Sequence, residues 1–124
     1  MDKSEARIQS EIMRDVGSRP DVRLFRNTCG FGYQGTVVTE SDSSGHTVLR
    51  NARPCTFGLM PGSADLIGWV VKDGRAVFLS LEVKNAKGRP SKEQLIWMEN
   101  VRRMGGIAGI VRSVEEATKL IDES

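Results

Sequence analysis

Histidine and cysteine are nearly missing from this chain of 124 residues, and their scarcity removes several chemistries. The single histidine, His46, lies in a Ser/Asp/Gly-rich segment, which argues against histidine-based catalysis and against a His-rich metal site. Two cysteines, Cys29 and Cys55, are too few for a disulfide framework or for a zinc site of their own, so both are expected to be reduced. No apolar run approaches the length of a membrane span, and the polar start Met1-Asp2-Lys3-Ser4-Glu5 has no secretory apolar region. The expectation is a soluble, cytoplasmic protein without a membrane partner or an organic cofactor. A net charge of only +2 excludes a purely electrostatic coat for nucleic acid, although clustered charges still permit binding.

What is present suffices for one domain with one core, spanning residues 1–124, with 39% hydrophobic and 27% charged residues. Residues 4–17 read as a helix that Ser4 caps and Gly17 stops. Ile8, Ile12 and Val16 form its apolar stripe. Glu5 lies about 20° from the stripe's centre and Glu11 about 100° from it, so Glu5 is the acid that looks toward the body of the protein. Residues 21–27 alternate as a strand. Phe31-Gly32-Tyr33-Gln34-Gly35 reads as a glycine-rich loop. Residues 36–54 read either as a hairpin around Glu40-Ser41-Asp42-Ser43-Ser44-Gly45 or as a flexible substrate loop.

The strands Leu66–Val71 and Ala76–Val83 flank an Asp73-Gly74 hairpin signal. Ser91 and Gln94 match a capping box at the start of a helix over 92–104, with Leu95, Met98 and Val101 as its inner face. Ile107–Val111 is a short strand, and Ser113 with Glu116, a second capping box, opens a last helix through Ala117, Leu120 and Ile121. Val83, the 92–104 helix and Ile107 make a βαβ crossover between parallel strands. The expected fold is α/β, a mixed sheet flanked by helices.

The chemistry gathers between Gly62 and Gln94. Asp65 heads one apolar strand, and Glu82 and Lys84 end the next on one face of it, two residues apart. Charges at the end of a buried strand are costly unless they serve a purpose. If the two strands pair and the first helix packs beside them, Glu5, Asp65 and Glu82 converge. Crowded carboxylates favour protonation unless a cation relieves them. A hard divalent cation bound by oxygens, magnesium above all, is the natural partner. Lys84 can hold a water or a phosphate oxygen beside it. Lys87, Arg89 and Lys92 follow the site as a basic loop where a polyanionic backbone would approach.

Each of these residues alone has a bland reading: a solvated ion pair for Glu82 and Lys84, a turn for Asp65, a helix cap for Gln94 or Glu5. Jointly they are specific. Ser4-Glu5, Phe25-Arg26-Asn27, Gly62-Ser63-Ala64-Asp65-Leu66-Ile67-Gly68, Glu82-Val83-Lys84, Lys87-Gly88-Arg89-Pro90-Ser91, Gln94 and Ala108-Gly109-Ile110-Val111 resemble the VRR-NUC (virus-type replication-repair nuclease) family of the PD-(D/E)-x-K nuclease superfamily. Ala64 stands where the superfamily name has proline.

The resemblance implies a restriction-endonuclease-like core. It implies Asp65, Glu82 and the main-chain carbonyl of Val83 as ligands of Mg2+ or Mn2+, with Glu5 completing the site directly or through water. Lys84 would position the nucleophile or stabilise the transition state, and Gln94 would orient Lys84 or the phosphate. The implied activity is structure-specific DNA cleavage, with a four-way (Holliday) junction as substrate and a homodimer that makes two symmetric nicks. Rival readings are a flap, fork or non-specific nuclease with the same site, a DNA-binding module that does not cleave, and a metal-free interaction domain whose acids pair with arginines. A phage origin, and hence the cytoplasm of a bacterial host, is implied by resemblance alone.

Overall fold

A computed structural model describes residues 2–39 and 44–124. In chain order the elements are α1 (Glu5–Asp15), β1 (Val22–Arg26), β2 (Gly30–Thr39), β3 (Val48–Phe57), β4 (Leu66–Lys72), β5 (Arg75–Val83), α2 (Lys92–Arg103), β6 (Ile107–Val111) and α3 (Val114–Asp122). They form two compact units. One comprises Met1–Asn27 and Met60–Ser124, the other Thr28–Leu59.

The larger unit holds a four-stranded sheet in the order β1-β4-β5-β6. β1 and β5 both run antiparallel to β4, while β5 and β6 are parallel and joined through α2. This is the expected mixed sheet of a restriction-endonuclease-like α/β core. Alternation sorts its two faces. Leu66 and Val70 of β4 and Leu79, Leu81 and Val83 of β5 are buried with Ile8, Ile12 and Val16 of the α1 segment and Ala117 and Ile121 of α3. The helices α1 and α3 therefore cover one face. The opposite face carries Ser80 and Glu82, and α2 lies over it, with the Trp97 indole donating to the buried Ser80 hydroxyl at 2.8 Å.

The ends of the helices follow sequence chemistry. Ser4 caps α1 through the amide of Arg7. Gly17 closes it, where a Cβ would stand 2.3 Å from the Met13 carbonyl oxygen. Ser91 and Gln94 form the complete capping box of α2. The box expected at α3 forms by half: Ser113 accepts from the Glu116 amide, but the Glu116 carboxylate accepts from the amide of Arg112.

The inner face of α2 differs from expectation. Leu95 is half exposed, and the helix turns Gln94, Trp97, Met98 and Val101 toward the sheet. Leu95-Ile96-Trp97-Met98 is one unbroken apolar run, so hydrophobicity alone could not choose its phase. The bonds of Gln94 and Trp97 to buried strand residues choose it.

The smaller unit is a two-stranded antiparallel sheet of β2 and β3. It corrects the loop expected at 31–35, which lies within β2. Gly35 of that expected loop, and Gly30 just before it, make room across the strand pair. A Cβ on Gly30 would stand 2.6 Å from the Phe57 ring. Gly35 sits at a register shift between Gln34 and Thr36, where a Cβ would meet the Arg50 carbonyl oxygen at 2.8 Å. Of the two readings of 36–54, the hairpin strands are present. Residues 40–43 of its expected turn, like Met1, lie outside the described residues. No helix among the described residues is long and apolar enough to cross a membrane.

Candidate active site

The β4–β5 hairpin sets the spacing of the site. Asp73 and Gly74 both take positive φ, 52° and 74°, as the tight turn requires. From Lys72 opposite Arg75, the pairing runs without a shift to Leu66 opposite Leu81. Asp65 and Glu82 are the next residues along, so both acids reach the same end of the sheet. Asp65 Oδ2 accepts from the amide of Val83 at 2.9 Å, which locks its carboxylate against the end of β5.

Asn27 holds the approach to Asp65. Its amide donates to the Asp65 carbonyl at 2.8 Å, and its side chain donates to Ser63 Oγ at 2.8 Å and to the Ala64 carbonyl at 2.7 Å. One buried asparagine at the end of β1 thus fixes three successive residues. Ala64, which stands where the superfamily name has proline, is buried among them.

Glu82 is the unusual member. It is 2% exposed. Its Oε1 accepts from Gln94 Nε2 at 2.9 Å and lies 3.3 Å from Lys84 Nζ. Its Oε2 is buried and has no hydrogen-bond partner. Burial pushes the Glu82 carboxyl up to about 7, the neighbouring Asp65 carboxylate pushes the same way, and Lys84 opposes both. A second carboxylate beside this buried acid leaves two means of relief, a proton or a cation.

Gln94 is orientated by its own helix. Its Oε1 is taken by the Ser91 amide at 2.8 Å, so its Nε2 must face Glu82. Its amide therefore meets the acid, sharing Glu82 Oε1 with Lys84. Lys84 is largely buried at its side chain, and its amide continues the ladder to the Val111 carbonyl at 3.1 Å.

Glu5 reaches this region as the first residue of α1. A Cβ placed on Gly88 would lie 3.0 Å from Glu5 Oε1 and 3.2 Å from Lys84 Cδ, so the acid and the lysine stem border the same glycine. Glu11 instead pairs with Lys3 at 2.7 Å and Arg7 at 3.4 Å, and the Lys3 hydrogen bond holds its carboxyl below the usual range. Among the described residues, no three His, Cys, Asp or Glu side chains close into a group that could hold a metal by themselves. Glu5 therefore stands beside Lys84 rather than in one cluster with Asp65 and Glu82. Lys87, Arg89 and Lys92 are exposed on the segment that follows.

The VRR-NUC domain model matches residues 4–115. The chain belongs to that family. This VRR-NUC domain is a nuclease of the PD-(D/E)-x-K type, with DNA as its substrate class. No curated protein sequence matches it. The match spans every candidate residue from Glu5 to Gln94 and includes the β2–β3 unit.

Three residues of this VRR-NUC domain that bond the main chain around the site received no role from sequence. Asn27 belonged to a quoted motif, but only the fold reveals that it grips residues 63–65. Asn85 accepts from the amides of Lys87 and Gly88 at 3.0 and 2.8 Å, an Asx-turn for which an Asn three residues before Gly is a legible signal. Arg112, at the end of β6, carried no signal at all.

Proposed function

We propose that this domain hydrolyses phosphodiester bonds in DNA with a divalent cation, Mg2+ or Mn2+, held by Asp65, Glu82 and the carbonyl of Val83. The single observation that carries the reading is the buried, unpartnered Glu82 Oε2 beside the Asp65 carboxylate. The donor set fits the cation: two hard carboxylate oxygens, no competing thiolate or imidazole, and room in the coordination shell for water and a phosphate oxygen. Such a cation, when bound, acidifies water and offsets charge on the phosphodiester.

The chain's own residues supply the rest. Gln94 and Lys84 share Glu82 Oε1, which leaves Oε2 as the free ligand atom. Lys84 brings its ammonium to the edge of the acid pair, where it can hold the attacking water or the charge that develops on the phosphate. Glu5 borders Lys84 through Gly88, which supports a part played through water rather than by direct coordination. Lys87, Arg89 and Lys92, together with the first turn of α2, offer cations and amide donors to a DNA backbone.

Branched DNA, with the four-way junction foremost, is the proposed substrate and a homodimer the proposed form. Two observations support self-association. On the sheet face that α2 leaves open, Phe25, Trp69, Val71 and Phe78 are exposed, with the Phe25 and Trp69 rings 5.8 Å apart. The β2–β3 unit exposes Phe31, Tyr33, Val37, Val38 and Val48, and a lone two-stranded hairpin is marginal in water.

The test is cleavage of labelled four-way junction, flap, fork and plain duplex DNA with magnesium, manganese or chelator, with molar mass measured by light scattering. Paired symmetric cuts in the junction, abolished by chelator and by Glu82→Ala, are expected from a dimer. Cutting of flaps or of every substrate keeps the nuclease and removes the junction specificity. DNA bound but uncut under every metal refutes the proposed chemistry in favour of a binding module.

A further inference from the structure

We infer that Arg112 is a positioning residue for the catalytic lysine, acting through the turn that follows it. The inference rests on the nuclease reading of the site. Residues 85–88 form a tight turn whose Lys87 and Gly88 amides both bond the Asn85 side chain. Two carbonyls of that turn, those of Asn85 and Gly88, accept from outside it, and the Asn85 carbonyl also accepts from the Gly88 amide at 3.2 Å. Arg112 Nη1 donates to both, to Gly88 at 2.9 Å. The guanidinium is a rigid planar donor, suited to bridging two fixed acceptors.

Arg112 is itself anchored. Its amide donates to the Glu116 carboxylate at 2.8 Å in the first turn of α3. The preceding residue, Val111, accepts from the Lys84 amide at 3.1 Å. Val111 and Arg112 thus grip both ends of the segment 84–88. Within it Gly88 packs against the Lys84 stem and the Glu5 carboxylate, where a Cβ would make tight contacts of 3.2 and 3.0 Å. Arg112 touches neither acid nor the Lys84 ammonium in this network. Its effect on chemistry passes through the main chain of the turn, and it sets where Lys84 and Glu5 stand relative to the Glu82 carboxylate.

The test compares wild type, Arg112→Met and Arg112→Lys. Methionine keeps the stem and removes both donations. Lysine keeps a donor that can reach one carbonyl. Single-turnover cleavage, DNA affinity without metal, thermal unfolding and amide exchange at Lys87 and Gly88 are measured for each. Arg112→Met is expected to lower the single-turnover rate at least ~10-fold, as small misplacements of a reacting group do, with DNA affinity within about twofold. Exchange at Lys87 and Gly88 should quicken while β4 and β5 stay protected, and Arg112→Lys should fall between the two.

A loss of rate that only follows a loss of folded protein, or that comes with an equal loss of DNA affinity, overturns the positioning role. So does unchanged exchange in the turn. If wild type cuts and Arg112→Met cuts equally well, this inference alone fails. If wild type cuts none of the four DNA substrates under either metal, the nuclease reading fails and takes this inference with it.

Discussion

Replacing Glu82 by glutamine should abolish cleavage and yet stabilise the metal-free protein at alkaline pH. In the folded chain the Glu82 carboxyl holds its proton up to about pH 7, against an ordinary value of 4.5. Below pH 4.5 the group is protonated both folded and unfolded, and its contribution to stability is complete. Between 4.5 and 7 the unfolded chain releases the proton while the folded chain keeps it, so stability falls as pH rises through that window.

At 1.36 kcal/mol per pH unit the full loss by pH 8 approaches ~3 kcal/mol. Lys84 and Gln94 also lose a charged partner on substitution, so about 1–3 kcal/mol is the working range. A glutamine escapes this loss because its amide is neutral at every pH. Its nitrogen can donate to Asp65 while its oxygen keeps the Gln94 bond. For a chain of this size the gain corresponds to a rise of roughly 4–12 °C in melting temperature at pH 8, shrinking to near zero at pH 4.5.

The assay is thermal unfolding of both proteins in chelator across pH 4.5–8, repeated with saturating Mn2+. The cation should raise the wild type and leave Glu82→Gln nearly unmoved, narrowing or reversing the gap. A glutamine variant no more stable than wild type at pH 8 without metal would refute the argument that the acid is held against its preference.

Lys84→Ala should cut cleavage by ~100-fold or more while DNA affinity, measured by fluorescence anisotropy, changes by less than about threefold. Asp65→Asn should remain folded and bind DNA but lose the melting-temperature rise that Mn2+ gives the wild type, as calorimetry would record; if it unfolds, Asp65 is structural and the site is misplaced. Glu5→Gln should slow single-turnover cleavage about 10-fold, whereas Glu11→Gln, whose partners are Lys3 and Arg7 at the surface, should change neither cleavage nor stability by more than about 0.5 kcal/mol.

Much of this fold was legible because local signals were strong. The Asp-Gly turn fixed one register, and that register alone puts Asp65 beside the Glu82 end of β5. The apolar stripe of α1 pointed Glu5 rather than Glu11 toward the body of the protein; Glu5 borders Gly88 beside the Lys84 stem, and Glu11, itself only 17% exposed, is engaged with Lys3 and Arg7. Ser91 and Gln94 marked the start of α2 to the residue.

The failures came where one residue type serves two physical ends. Glycine marks turns, but at Gly30 and Gly35 it marks the close approach of a ring and of a carbonyl across a strand pair. A run of four apolar residues has no phase, so Leu95 was turned inward when the helix turns it out. Arg112 was illegible for a different reason. Its partners are main-chain carbonyls 24 and 27 residues away, and a carbonyl leaves no trace in the amino-acid alphabet.

The double use of Gln94 restricts what this position can become. A helix start of this kind accepts glutamate or glutamine equally well, since either oxygen can take the Ser91 amide. Here the other half of the side chain must donate to Glu82, and a glutamate has no hydrogen to give at neutral pH. The exchange that is harmless at other capping boxes would set a third negative charge against a buried acid. One amide therefore ties the folding signal of a helix to the electrostatics of the site, and neither can drift without the other.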